Sequence, residues 1–278
     1  MRLVTLILFF ILQTNNSYAK DKCQDQGVCI KLKNGKNLSS EIRIINNSPY
    51  KASVKIDITP KNILKAPKEF PQTLILEGHQ IIKQNIKFNK LSISQPYRTL
   101  YSWMHGDYRL TRSNFAYRLP YKIGTSHTVG QSFNGVESHN GRTANAIDWN
   151  MKVGTNIHAA RSGYVVKVVN KFRKGGKTKH YMDKSNFIKI LHDDGSFSIY
   201  AHLKHLGTLV KENQRVSQGQ VIGNSGNTGF SSGPHLHFHV GIPAFIDKAI
   251  VEQTIPFNFS NCKQKMFVPL EGKKYTNC

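Results

Sequence analysis

Acidic side chains are scarce in this chain. Sixteen Asp and Glu stand against 39 Lys and Arg, giving a net charge of +23 over 278 residues. Such a field concentrates anionic partners but selects no reaction. Nucleic acid, an anionic wall polymer and a membrane surface all qualify. Long apolar runs are equally rare. The run Leu3–Leu12 is too short to span a bilayer comfortably, and no later stretch is long and apolar enough, so no stable membrane insertion is expected. With Arg2 before it and Ser17-Tyr18-Ala19 after it, the run reads as a secretory signal, residues 1–19, cleaved after Ala19. No Cys follows directly, which argues against a lipid anchor. Periplasmic or extracellular export is the expectation. Four cysteines are present, Cys23 and Cys29 near one end, Cys262 and Cys278 near the other. In an exported protein they favour two local disulfides, Cys23–Cys29 and Cys262–Cys278, although crossed pairings fit the count too. No long helical period and no internal repeat are present. The absence of a helical period points to an all-β chain.

What remains is short strands divided by turn residues. Residues 20–96 read as a small N-terminal β-sandwich-like domain. Glu41–Ile45 and Ala52–Ile58 flank the turn cluster Asn46-Asn47-Ser48-Pro49, and Gln72–Glu77 with Ile81–Phe88 form a second expected pair. No convergent set of reactive side chains occurs there. Residues 97–122 read as an aromatic-rich connector packing on the next domain. Its His105-Gly106-Asp107 has nothing nearby to complete a site. Residues 123–245 form a second domain, with expected strands at Ala144–Trp149, Gly163–Val169, Asn186–Leu191, Phe197–His202 and Gln220–Gly223. His192–Ser196 reads as a hairpin turn. The basic loop Asn170–Ser185 reads as mobile and solvated. Its only aromatics are Phe172 and Tyr181, too few to stack bases, so no nucleic-acid partner is expected. Residues 246–278 read as a tail that is disulfide-linked.

One stretch concentrates chemistry: Ser232-Gly233-Pro234-His235-Leu236-His237-Phe238-His239-Val240. It reads as a strand entered from a tight turn. Side chains alternate along a strand, so His235, His237 and His239 share one face while Leu236, Phe238 and Val240 share the other. A surface strand rich in His gives the same pattern, so the stretch alone does not decide between the two. Other candidates strengthen it: His139 in Ser138-His139-Asn140-Gly141, Asp148 in Ala146-Ile147-Asp148, and His202 after Tyr200-Ala201. Two His and one carboxylate make a hydrolytic zinc site with one open position for water. Spare imidazoles beside it accept a proton or steady a developing oxyanion.

These segments, with Gly226-Asn227-Thr228-Gly229 between them, resemble the M23 family of zinc peptidases, the lysostaphin-like peptidoglycan endopeptidases. The resemblance runs over about Ser126 to Val240 and includes Gly154-Thr155, Ala159–Gly163 and Gly219–Gly223. It implies an open antiparallel β domain with a substrate groove. It implies one Zn2+ held by His139, Asp148 and His237, His235 as general base, and His202 orienting the substrate carbonyl or stabilising the tetrahedral intermediate. It implies peptidoglycan as partner, the stem or cross-link peptide as substrate, and hydrolysis by a metal-activated water. The scissile bond stays open.

Three departures stand out. His139 and Asp148 lie further apart than in the commonest family pattern, a spacing that a subset shares. His239 stands where the family often has an acid or amide, and is read either as a partner of His237 or as an exposed strand residue. Residues before the domain lie outside the resemblance. His127, His158, His180, His192 and His205 lack a partner pattern and read as surface residues. The competing function is a non-catalytic relative that regulates other wall hydrolases. The complete set of ligands and auxiliary histidines disfavours it.

Overall fold

The computed structural model describes residues 27–34, 39–59, 63–65, 69–88, 98–246 and 249–278. The expected signal and Cys23 lie outside the described residues. Cys29 is disulfide-bonded. Two compact units emerge. One holds Arg109–Ile242 with Glu252–Cys278; the other holds the described residues up to Tyr108 with Pro243–Val251. Among the described residues, helical structure is confined to two 3-10 turns, Gly141–Thr143 and Lys179–Tyr181, and no helix is long and apolar enough to cross a membrane.

The N-terminal unit contains β1 (Val28–Asn34), β2 (Ser39–Asn46), β3 (Ala52–Thr59), β4 (Ile63–Lys65), β5 (Gln72–Leu76), β6 (Ile81–Phe88) and β7 (Arg98–His105). Two antiparallel sheets form, in the orders β1-β2-β6-β4 and β5-β3-β7. Alternate residues of each strand, Ile42 and Ile44, Val54, Ile56 and Ile58, Leu76 and Ile86, fill a common core. The sandwich matches the expectation, but its pairing does not. The sequence suggested that Gln72–Glu77 and Ile81–Phe88 pair with each other. Instead β5 pairs with β3 and β6 with β2. The turn cluster after β2 is a corner between sheets: Asn46 Nδ2 donates to the carbonyls of Tyr50 and Glu77, at 2.7 and 2.9 Å. The expected connector 97–122 also divides differently. β7 pairs with β3 along its whole length, because Tyr101 and Trp103 pack against the core of this unit.

The second unit is built on a long antiparallel sheet. Its strands begin with β8 (Ala116–Arg118), β9 (Ser126–Gln131), β10 (Ala146–Asn150), β11 (Asn156–His158), β12 (Gly163–Val169), β13 (Gly175–Gly176), β14 (Phe187–Leu191) and β15 (Phe197–Ala201). They continue with β16 (Leu203–Thr208), β17 (Arg215–Val216), β18 (Val221–Ser225), β19 (Gly229–Phe230), β20 (His235–Ile246), β21 (Ala249–Thr254), β22 (Asn258–Ser260) and β23 (Lys274–Thr276). The main sheet runs β17-β12-β14-β15-β20-β10-β9-β23, with β21 also on β20. Ile147, Trp149, Tyr200, Leu236, Phe238 and Val240 point to one side and are buried in one core. The alternation of the strands sends the histidines of β20 the other way.

Two expectations are corrected here. Residues 246–278 are no appended tail: β22 pairs with β8 and β23 with β9, and Phe257 and Phe259 are among the largest fully buried side chains. The expected Cys262–Cys278 bond is present. The basic loop is not simply solvated either. Its glycines form β13, parallel to β19, and Phe172 N–H donates to Asn186 Oδ1 at 2.9 Å. Glycine fits because the strands approach closely; a Cβ on Gly175 would sit 2.5 Å from the Asn227 carbonyl.

Candidate metal centre

Strand register alone brings two candidate residues together. β10 and β20 are antiparallel neighbours with Asp148 directly opposite His237. Directly opposed side chains on one face of a sheet have Cβ atoms about 5 Å apart. His139 arrives from the loop between β9 and β10. That loop is pinned by Asn134 N–H to Ala144 O at 2.8 Å, His139 N–H to Gly135 O at 3.1 Å and Thr143 Oγ1 to Ser138 O at 2.9 Å. Gly135 is needed where the Gln131 side chain passes, since a Cβ there would lie 2.1 Å from Gln131 Cγ.

One nitrogen of His139, one carboxylate oxygen of Asp148 and one nitrogen of His237 lie within 4.8 Å of one another. His139 Nδ1 sits 2.7 Å from the Ser132 carbonyl. A carbonyl only accepts, so Nδ1 carries the proton and the neutral ring has its lone pair on Nε2. That Nε2 is buried and makes no hydrogen bond, yet it lies 3.2 Å from Asp148 Oδ1. His237 Nδ1 lies 2.9 Å from the same oxygen. Electron-rich atoms crowded together, one of them a buried orphan, are the donor set that a divalent cation resolves. The residues present therefore fit a metal ion.

Electrostatics favour the protonation state that a metal needs at Asp148 and at His237, and oppose it at His139. Burial favours the neutral acid at Asp148, but the imidazoles of His139 and His237 outweigh it and hold the carboxyl well below its usual range. Burial pushes His237 down to about 4, against the pull of Asp148. Burial opposes charge on His139 too, but Asp148 prevails and raises it. The other carboxylate oxygen, Oδ2, accepts from Gln131 Nε2 at 3.2 Å, while Gln131 Oε1 accepts from the backbone N–H of Glu137 and Ser138. Gln131 thus ties the His139 loop to Asp148. Nothing in the sequence marked it, because a lone Gln at a strand end has no pattern.

His202 and His235 stand beside this cluster with rings 4.6 Å apart, and the His202 ring lies 5.7 Å from that of His237. His202 follows β15 at φ +61°, a conformation that a non-glycine residue holds only when its surroundings demand it. Ser185 Oγ accepts its N–H, and the Thr228 carbonyl accepts from its Nδ1 at 2.7 Å. His235 Nδ1 donates in the same way to the Gly233 carbonyl at 2.8 Å. Both neutral rings therefore have a bare Nε2. Burial, with His235 and His237 adjacent, pushes His202 down to about 3. Asp148, His202, His235 and His237 line a groove of about 420 Å³ with Glu137, Ser138, Thr143, Lys177 and Phe230–Ser232. Lys177 follows β13 in the basic loop, whose charge run offered a place at a groove rim beside the solvated reading; it lines the groove with Phe230 of β19, the strand paired with β13.

All five sequence-predicted site residues thus come together. His239 is fully buried rather than exposed, and lies 3.0 Å from His237. His192 is also buried, a correction to the surface reading: it bridges the Ser162 carbonyl and Ser198 Oγ.

Residues 142–246 match the model described as Peptidase family M23. The chain carries an M23 peptidase domain. Asp148, His202, His235 and His237 lie within the matched residues, and His139 just before them. The M23 domain is 36% identical over 105 residues to the peptidoglycan DD-endopeptidase ShyA of Vibrio cholerae, a match covering 38% of this chain and 20% of that protein. It is 33% identical over 119 residues to lysostaphin of Staphylococcus simulans, covering 42% of this chain and 22% of that one. The chain thus spans about a fifth of the length of these relatives. Among solved structures, the catalytic domain of S. simulans lysostaphin aligns at 28% identity, covering 51% of this chain and 88% of that one, with a TM-score of 0.30.

Proposed function

We propose that this chain is an exported zinc-dependent endopeptidase that hydrolyses peptide bonds in peptidoglycan stems or cross-links. The observation that carries the reading is the convergence of His139 Nε2, Asp148 Oδ1 and His237 Nδ1 beside two imidazoles with bare Nε2 atoms, with Asp148, His202, His235 and His237 lining one groove. The named activity of ShyA, a peptidoglycan DD-endopeptidase, supplies the substrate class, and the signal-like residues 1–19 agree with action outside the cytoplasm.

His139, Asp148 and His237 would hold the zinc ion. When bound, zinc supplies Lewis acidity, polarising a carbonyl oxygen and acidifying water. His235 accepts the proton of the attacking water at Nε2, since its Nδ1–H is committed to Gly233. Transfer to a positioned base of this kind contributes about 10²- to 10⁴-fold. His202, held by Thr228, keeps its Nε2 toward the groove and orients the substrate; a proton gained there turns it into a donor toward the developing oxyanion. Gln131 holds Asp148 so that its Oδ1 faces the two histidines. Lys177 and Glu137 offer one charge of each sign to the groove wall.

The test is release of soluble muropeptides from purified peptidoglycan by the protein, with zinc and then with chelator. Zinc-dependent release with new amino termini supports an endopeptidase and names the bond. No bound zinc and no release overturns it in favour of the non-catalytic reading.

A further inference from the structure

Beyond the ligands, a line of three side chains leads away from His237 on its far side. His237 Nε2 lies 3.0 Å from His239 Nδ1. His239 Nε2 lies 2.9 Å from Glu252 Oε1. Glu252 Oε2 lies 2.8 Å from Lys189 Nζ, and Lys189 in turn sits 3.7 Å from the centroid of the Phe197 ring. The strands fix this line. His237 and His239 are two apart on β20 and so share a face. Ile199 of β15 stands opposite His239, and Lys189 of β14 opposite Ile199. His239 is fully buried, and Lys189 and Glu252 are mostly so.

We infer that Lys189, Glu252 and His239 are positioning residues that fix which ring nitrogen of His237 is free to bind a metal ion. The inference rests on the metal-holding role proposed above for His237. Its logic is the direction of each hydrogen bond. An ammonium only donates, so the carboxylate paired with it is ionised and only accepts. His239 Nε2 must then carry a proton and donate it to Glu252. In the neutral ring this leaves His239 Nδ1 bare, able only to accept. His237 Nε2 must therefore be the N–H that donates to it. The neutral His237 ring then has its lone pair on Nδ1, the nitrogen 2.9 Å from Asp148 Oδ1. Partners on the remote nitrogen of a ligating histidine fix its tautomer and orientation in this way. Here the partner is a second histidine, whose own direction is set by a buried ion pair. The opposite direction, His239 donating to His237 from Nδ1, turns the His237 proton onto Nδ1 and removes the ligand.

Two readouts test the chain without using activity. The first is the zinc dissociation constant, by competition with a chromophoric chelator. The second is the protonated nitrogen of His237 in the metal-free protein, by nitrogen-detected imidazole NMR. His239→Leu should weaken zinc binding by about 10- to 100-fold. His239→Gln should restore most of it, since the amide oxygen accepts from His237 and the amide NH2 donates to Glu252. A merely space-filling role would not separate the two variants in this order. Glu252→Gln should weaken zinc binding and depopulate the Nε2–H form of His237. If His239→Leu does not fold, as judged by near-UV circular dichroism, Glu252→Gln and the wild-type NMR signal decide. A wild-type His237 protonated on Nδ1, or unchanged zinc binding in folded His239→Leu or Glu252→Gln, overturns the chain alone. A wild-type protein that binds no zinc overturns both this chain and the proposed function.

Discussion

At the scale of single residues, His237 and His235 differ in what their loss removes. His237→Ala takes away one of three donors, so bound zinc and activity should vanish together, read by metal content after dialysis. Full zinc content in that variant would contradict the ligand assignment. His235→Ala leaves the donor set intact; zinc should stay while kcat falls by about 10²- to 10⁴-fold. Unchanged turnover would remove His235 as the base. His192 gives a different kind of prediction, since it lies outside the site. Burial and the nearby Arg161 push its pKa down to about 3 from 6.5. Between those values the unfolded chain binds a proton that the folded chain does not. Stability therefore falls as the pH drops from about 6.5 toward 3, with a slope of about 1.4 kcal/mol per pH unit from this group, and is unaffected above that window. His192→Gln keeps a donor for Ser162 and an acceptor for Ser198, and should flatten that part of the urea-denaturation profile. A profile as steep as that of the wild type would show that the proton goes elsewhere. The residues that sequence made legible were those with a motif: His139, Asp148, His202, His235 and His237. His192, Gln131 and Glu252 were not, because their roles depend on partners 13 to 63 positions away, and isolated polar residues carry no period.

At the scale of elements, strands were legible and their pairing was not. Alternation marks a strand from its own residues, as at Ala52–Ile58 and Gly163–Val169, but register is a property of two strands. The β14–β15 hairpin could be read because its turn is local: His192 N–H donates to Ser196 O, and Asp194 Oδ1 accepts from Ser196 N–H. β2 and β3 could not, since the Asn46 corner and a hairpin turn use the same residue types. The C-terminal strands were missed for a related reason. Three-residue strands such as β22 and β23 carry too few alternations to register. Their place on the sheet makes the Cys262–Cys278 bond testable. It closes a segment with a sequence separation of 16 that includes β23, the neighbour of β9. By loop-closure entropy a bond of this span stabilises by about 3 kcal/mol. Cys262→Ser with Cys278→Ser should lower the unfolding free energy of the M23 domain by about that amount, measured in denaturant without reductant. No change in the midpoint would mean that β23 is held by its pairing with β9 alone.

At the scale of the whole molecule, the dominant property is the excess of 39 Lys and Arg over 16 Asp and Glu. Charge of this size was legible at once but acts at long range, so it favours anionic partners as a class and says nothing of the chemistry in the groove. The groove does not share this excess: its lining holds Lys177 against Glu137 and Asp148. The two effects separate by salt. Raising ionic strength from about 0.1 to 1 M shortens the Debye length from about 10 to 3 Å, which screens attraction to a polyanion but leaves ligand geometry and the buried histidines intact. On intact anionic wall material, the initial rate should therefore fall steeply with salt. On a small, soluble stem peptide without net charge, the rate should hardly change. A basic surface that serves only solubility would give the same shallow dependence on both substrates. Steep dependence on the uncharged peptide would instead place the salt effect within the groove, at Lys177 and Glu137, and Lys177→Gln should then abolish it.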